Sequence, residues 1–158
     1  MIPMNAMFRG SAFNGDISAW DISSVTTMND MFRASAFNGD ISAWDTSNVL
    51  SMDNMFYGAT AFSGRGISNF DTSSVTNMNG MFEEATSFNG DVSNFNTSSV
   101  TSMFRMFKYA YAFNQNICSW QDSFPYTNAD DIFLNSNCTY QDTPNETQKG
   151  PFCASDCL

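Results

Sequence analysis

A block of about 25 residues recurs five times along most of this chain, and the recurrence limits what the chain can become. The blocks begin MFRGSAFNGDISAWDISSVTTM, MFRASAFNGDISAWDTSNVLSM, MFYGATAFSGRGISNFDTSSVTNM, MFEEATSFNGDVSNFNTSSVTSM and MFKYAYAFNQNICSWQDSF. A unit this short cannot bury its own apolar side chains, so it must bury them against its neighbours. Equivalent residues then stack as columns. They run Phe13, Phe37, Phe62, Phe88, Phe113; Ile17, Ile41, Ile67, Val92, Ile117; and Trp20, Trp44, Phe70, Phe95, Trp120. Val25, Val49, Val75, Val100 follow, then Met28, Met52, Met78, Met103. The last is Met7, Met31, Met55, Met81, Met106, each followed by Phe. These columns are the expected core. Methionine, a flexible gap filler, suits repeats of unequal length.

Within a repeat, Asp-Ile-Ser-Ala-Trp at 16–20 and 40–44 reads as a short strand entered from a glycine turn. Ser/Thr-Val-Thr-x-Met-x-x-Met-Phe spaces its apolar residues at i, i+3, i+6 and i+7, which predicts a short helix. Asp21, Asp45 and Asp71 precede it as caps. The fold expected is therefore an α/β solenoid of leucine-rich-repeat type. It has about five coils of ~25 residues, each with one short parallel strand and one short helix. Residues 1–120 form the repeat region, with an incomplete first coil. Residues 121–158 break the period, and there Phe124, Ile132, Phe133 and Phe152 are expected to fold over the last repeat as a cap.

All four cysteines, Cys118, Cys138, Cys153 and Cys157, lie at or beyond the last repeat. Two disulfides stapling the cap are expected, in any of three pairings. Disulfides imply an oxidising compartment: secreted, at the cell surface, or another such compartment. Asn96, Asn137 and Asn145 head sequons that would accept glycans there. The opening MIPMNAMF has neither the basic start nor the apolar run of a secretory leader. No stretch is long and apolar enough for a membrane span, so no membrane insertion is expected. Six basic against 16 acidic residues leave a net charge of -10, which disfavours nucleic acid as a partner. The first repeat lacks a polar cap, and its end is expected to be covered marginally by residues 1–8, or else by further repeats or by a subunit of a larger assembly.

The stretches Phe37-Asn38-Gly39-Asp40-Ile41-Ser42-Ala43-Trp44-Asp45-Thr46-Ser47 and Val75-Thr76-Asn77-Met78-Asn79-Gly80-Met81-Phe82 resemble a known repeat. Its pattern is close to FNxDISxWDTSxVTxMxxMFxxAxx. It belongs to the BspA-type leucine-rich repeat family, in the Mycoplasma-type surface-protein form once classed as a domain of unknown function. Residues 4–120 carry the resemblance. FNQNICSW at 113–120 and GPFCASDC at 150–157 are similar to the ends of long members from marine microbial eukaryotes. The resemblance implies a surface or secreted protein, with adhesion among the roles of some relatives, and no catalytic residues.

The exposed strand face would carry Asp16, Ser18, Asp40, Ser42, Ser68, Asp91, Ser93 and Ser119. Such a surface is acidic and poor in large apolar anchors. It suits a glycan or a basic protein, which makes a non-enzymatic recognition or adhesion scaffold the expected function. A structural segment of a larger assembly is the alternative. Gly66 interrupts the acid row. Threonine columns at Thr46, Thr72, Thr97 and at Thr26, Thr76, Thr101 raise ice binding as a minor reading. Regularly repeated carboxylates lack the distinct environments that separate a catalytic acid from a base. They show no ordered calcium loop either, so no metal and no cofactor are expected.

Overall fold

The computed structural model describes residues 2–157. Its organising contacts run between repeats. From Met28 to Ala34 every second backbone N–H leaves its own repeat. Met28 donates to the Ser51 carbonyl, Asp30 to Asp53, Phe32 to Met55 and Ala34 to Tyr57, at 2.7–3.0 Å. The Asn29 N–H reaches back to the Asn5 side chain at 3.0 Å, and the alternate N–H groups after it close local turns: Met31 onto Met28, Arg33 onto Asp30 and Ser35 onto Phe32, at 3.0–3.2 Å. The same alternation recurs over 52–59, 78–85 and 103–110.

Regular elements are few. β1 (Ile2–Pro3) pairs in parallel with β2 (Val25–Thr27). Single parallel bridges continue the line, Thr27 to Ser51, Ser51 to Asn77 and Asn77 to Ser102. Two 3-10 turns lie at Ile67–Asn69 and Cys118–Trp120. Among the described residues there is no α-helix and no further strand.

The expected solenoid of strand-and-helix coils is therefore wrong, for two local reasons. At the expected strand, the Asp16 carboxylate takes the Ser18 N–H at 2.9 Å, and the Trp20 N–H closes on the Ile17 carbonyl at 3.1 Å. An aspartate that captures a backbone donor two residues ahead builds a turn and takes that donor from any strand ladder. At the expected helix, Asp30 and Ala34 sit at φ 56° and 53°, and every later repeat has left-handed residues at the same two places. One such residue every four stops helix propagation, and the N–H groups pair across to the next repeat instead.

The apolar columns do form the core. Phe32, Phe56, Phe82, Phe107 and Phe133 are fully buried and stack with ring centroids 5.2–6.0 Å apart. Phe37, Phe62, Phe88 and Phe113 form a parallel stack beside them, also fully buried. Trp44 and Trp120 each donate their indole N–H to a carbonyl of the preceding repeat, Ile17 and Val92, at 3.1 and 3.2 Å. At the N-terminal end expected core members differ. Met7 is 48% and Trp20 37% exposed, and Phe8 and Phe13 are half-buried.

Beyond Trp120 the chain first supplies one more rung. The carbonyls of Asn128, Asp130, Ile132 and Leu134 accept from Met103, Arg105, Phe107 and Tyr109 at 2.9–3.0 Å. The Asn135 N–H, next in line, is taken by the Gln141 side chain at 3.1 Å. Phe124, Ile132, Phe133 and Phe152 are buried there. Disulfides join Cys118 to Cys157 and Cys138 to Cys153.

Candidate functional site

Each acid of the expected face is engaged locally. Asp40 accepts from the Ser42 N–H and Asp91 from the Ser93 N–H, both at 2.9 Å, matching Asp16 and Ser18. The backbone N–H and hydroxyl of Ser18 hold Asp16 below the usual carboxylate range, and those of Ser42 do so for Asp40. The hydroxyl and N–H of Ser93 act likewise on Asp91. In the last repeat Asn116 builds the same turn with the Cys118 N–H at 3.1 Å. A second column repeats the device. Asp21, Asp45, Asp71 and Asn96 accept from the N–H and hydroxyl of Ser23, Ser47, Ser73 and Ser98. The first three, read from the sequence as helix caps, are thus turn builders.

Asp16, Ser18 and Asp40 come together with Asn14, Asn38 and Arg65 around a shallow hollow of about 400 Å³. Arg65 was not among the residues singled out from the sequence. Its signal was the longer SGRG insertion, which brings a cation toward Asp40. Ser68 lies exposed in the 3-10 turn Ile67–Asn69. Gly66, where other repeats carry the acid, sits at φ 83° with its α-carbon against the Ser42 and Ile41 backbone, so no side chain fits there. Asp91 and Ser93 lie beyond this break. Ser119 donates its hydroxyl to the Ser93 carbonyl at 2.7 Å, which ties the last two repeats of the face together.

The threonine columns look inward or sideways. Thr46 and Thr72 are buried and donate to the carbonyls of Asp71 and Asn96 at 3.0 and 3.1 Å, while Thr97 pairs with the Ser123 hydroxyl. Thr76 and Thr101 donate to Leu50 and Thr76 carbonyls. Hydroxyls spent in this way do not form a free array for ice.

The sequon residues Asn96, Asn137 and Asn145 are exposed. The amide oxygens of Asn96 and Asn145 are held in turns by Ser98 and Thr147. Among the described residues no group of three or more His, Cys, Asp or Glu is placed to hold a metal ion, and no helix is long and apolar enough to cross a membrane.

On another face the charges are less comfortable. Burial pushes the Asp53 carboxyl up, with Asp30 adding to it. Burial does the same to Glu83 against the pull of Arg105 and Lys108. At the N-terminal end, among the described residues, no backbone N–H donates to the carbonyls of Asn5, Met7 and Arg9, whereas their counterparts Asn29, Met31 and Arg33 each accept one.

No curated protein and no solved structure was found to match this chain. The model of the family described as "Mycoplasma protein of unknown function, DUF285" matches residues 1–66 and again 34–146, and the chain belongs to that family.

Proposed function

We propose that this protein is a non-enzymatic recognition or adhesion scaffold, secreted or held at a cell surface. The observation that carries this reading is the row of Asp-x-Ser turns. It sets carboxylates at Asp16, Asp40 and Asp91 on one exposed side of the stack, interrupted at Gly66, with each carboxylate locked by its own serine. Locked, similar groups held below the usual carboxylate range suit repeated contacts with a basic protein or a hydroxyl-rich glycan. They are ill suited to catalysis, which needs carboxyls whose environments differ. The two disulfides support an oxidising compartment. Kinship with BspA-type surface proteins, and with the cysteine-bearing ends of marine eukaryotic members, rests on the FNGDISAWDTS pattern at 37–47 and on GPFCASDC at 150–157.

A second reading is favoured by the N-terminal end. Ile2, Met7 and Trp20 are exposed large apolar side chains there, which suit docking within a larger assembly.

Arrays of glycans and matrix proteins probed with the wild type and with Asp16→Asn/Asp40→Asn/Asp91→Asn test the first reading. Asparagine already builds these turns at Asn96 and Asn116, so the triple variant keeps its fold. The scaffold reading expects a wild-type ligand whose binding falls at least tenfold in the variant. An array with no ligand, together with native protein that co-purifies in a large complex, would replace it with the assembly reading.

A further inference from the structure

One corner of the stack departs from the repeat's own pattern. A column of left-handed residues runs Gly10, Ala34, Gly58, Glu84, Tyr109 and Asn135, with φ between 53° and 66°. Glycine takes that conformation freely, and a bulky side chain is strained in it. The fourth and fifth repeats nevertheless place a carboxylate and an aromatic ring there. One residue further on, the position of buried Ser35 is held by buried Ala59, Ala85 and Ala110, and the longer third to fifth repeats follow these with Thr60, Thr86 and then Tyr111, which is 59% exposed.

These substitutions converge. Tyr109, Tyr111, Glu84, Thr60 and Thr86 line one hollow of about 330 Å³. The two tyrosine rings meet edge to face at 65°, with centroids 6.3 Å apart. Glu84 is anchored by the Tyr57 hydroxyl, which donates to Oε1 at 2.8 Å. Rings on this side already hold cations. The Arg33 guanidinium lies 4.4 Å from the Tyr57 centroid, and Lys108 Nζ lies 5.5 Å from that of Tyr109. Lys108 is neutralised by Asp131 at 2.8 Å, and neither Lys nor Arg is among the residues lining the hollow. Aromatic faces beside a fixed carboxylate are the chemistry that receives a substituted ammonium ion.

We propose that this hollow is a binding site for a substituted ammonium group, either on a lysine side chain of a partner protein or on a free alkylammonium. It lies apart from the Asp-x-Ser row and stands or falls independently of it.

The test uses the whole chain, with binding followed by NMR shifts of the tyrosine signals. The probes are tetramethylammonium, a short trimethyl-lysine peptide, the same peptide unmethylated, and the neutral isostere 3,3-dimethylbutanol. At least one cationic probe should saturate the Tyr109 and Tyr111 shifts while the alcohol does not. Glu84→Gln and Tyr111→Ser should each weaken binding by about tenfold or more. Tyr109→Gly should do the same without lowering the Tm, because Gly10 and Gly58 occupy that column. A response to tetramethylammonium as strong as to the peptides points to a free ligand, and a preference for either peptide points to a protein. The proposal is overturned by silence from every cationic probe, by an equal response to the alcohol, or by binding that survives Glu84→Gln and Tyr111→Ser.

Discussion

Phe82 in the middle of the stack and Phe152 in the tail are equally buried, but different physics holds them there. Phe82 stacks on Phe56, Phe88 and Phe107 at 5.7, 3.8 and 5.6 Å, and its N–H reaches the Met106 carbonyl of the next repeat. Phe152 meets Phe124 edge-on at 5.0 Å, and its backbone pairs with nearby Ser155. Next to it Cys153 is tied to Cys138, and Cys157 to Cys118. The repeats thus hold one another through many weak contacts that recur at each layer. The tail cannot repeat them, and two covalent links take their place. Cooperative loss of the stack and local loss of the tail should therefore be separable.

The largest effect expected is in the stack. Phe82→Ala should cost about 3–5 kcal/mol in urea denaturation and should lower amide protection in repeats on both sides. Phe152→Ala should loosen chiefly the tail amides. If Phe152→Ala deprotects Phe56 and Phe82 as well, the two regions are one cooperative unit and the comparison fails.

Reducing both disulfides comes next. Opening loops of 39 and 15 residues should remove about 2–4 kcal/mol of constraint from the tail. Hydrogen exchange should then rise at Tyr140, Asn145 and Phe152 while Phe32, Phe56 and Phe82 keep their protection. Uniform loss along the chain would contradict this.

Trp44→Phe should cost about 1 kcal/mol by thermal or chemical denaturation. Phe70 and Phe95 already fill the same column, so the ring space is tolerant, and the main loss is the indole bond to the Ile17 carbonyl.

The smallest effects are electrostatic and have opposite signs. The Ser73 hydroxyl and N–H hold Asp71 below its ordinary value of 3.8. Its contribution is therefore present above that value in the unfolded chain, and is lost as pH falls through the folded one. Asp71→Asn should keep the turn, as Asn96 does, and should flatten acid unfolding slightly. Asp53 is raised, so its ionisation destabilises the fold at neutral pH and protonation relieves this. Asp53→Asn should raise the urea midpoint slightly at pH 7, the gain being small because solvent screens a half-exposed carboxylate, and should do nothing at low pH.

Much of the core was legible because a column shows itself in sequence as a recurring letter. The Phe, Ile, Val, Met and Trp columns are buried wherever a neighbouring repeat covers them, and Met7, Phe8, Phe13 and Trp20 at the first layer depart. The backbone between the columns was misread. Met28, Met31 and Phe32 have helical spacing, but turns closed every three to four residues produce the same spacing. The deciding feature is the pair of left-handed residues in each repeat. It is spelled Asp30 and Ala34, Asn54 and Gly58, Gly80 and Glu84, Arg105 and Tyr109. The two glycines, Gly58 and Gly80, each four residues from a partner position, were the available signal, and the other letters hid it. On the acidic face the residues were legible, and so was their interruption at Gly66. Their serine locks were not, because the same Asp suits a helix cap and an Asx turn. The tyrosine and glutamate hollow was missed because its members stand in columns that elsewhere hold Gly, Ala, Ser and Thr.

The account's central claim is that backbone N–H groups pair from one repeat to the next and not along a helix. Through-hydrogen-bond NMR couplings test it most directly. The account predicts couplings from the Phe32, Phe56 and Phe82 amides to the carbonyls of Met55, Met81 and Met106. Couplings from those amides to carbonyls four residues earlier would restore the helix and contradict it.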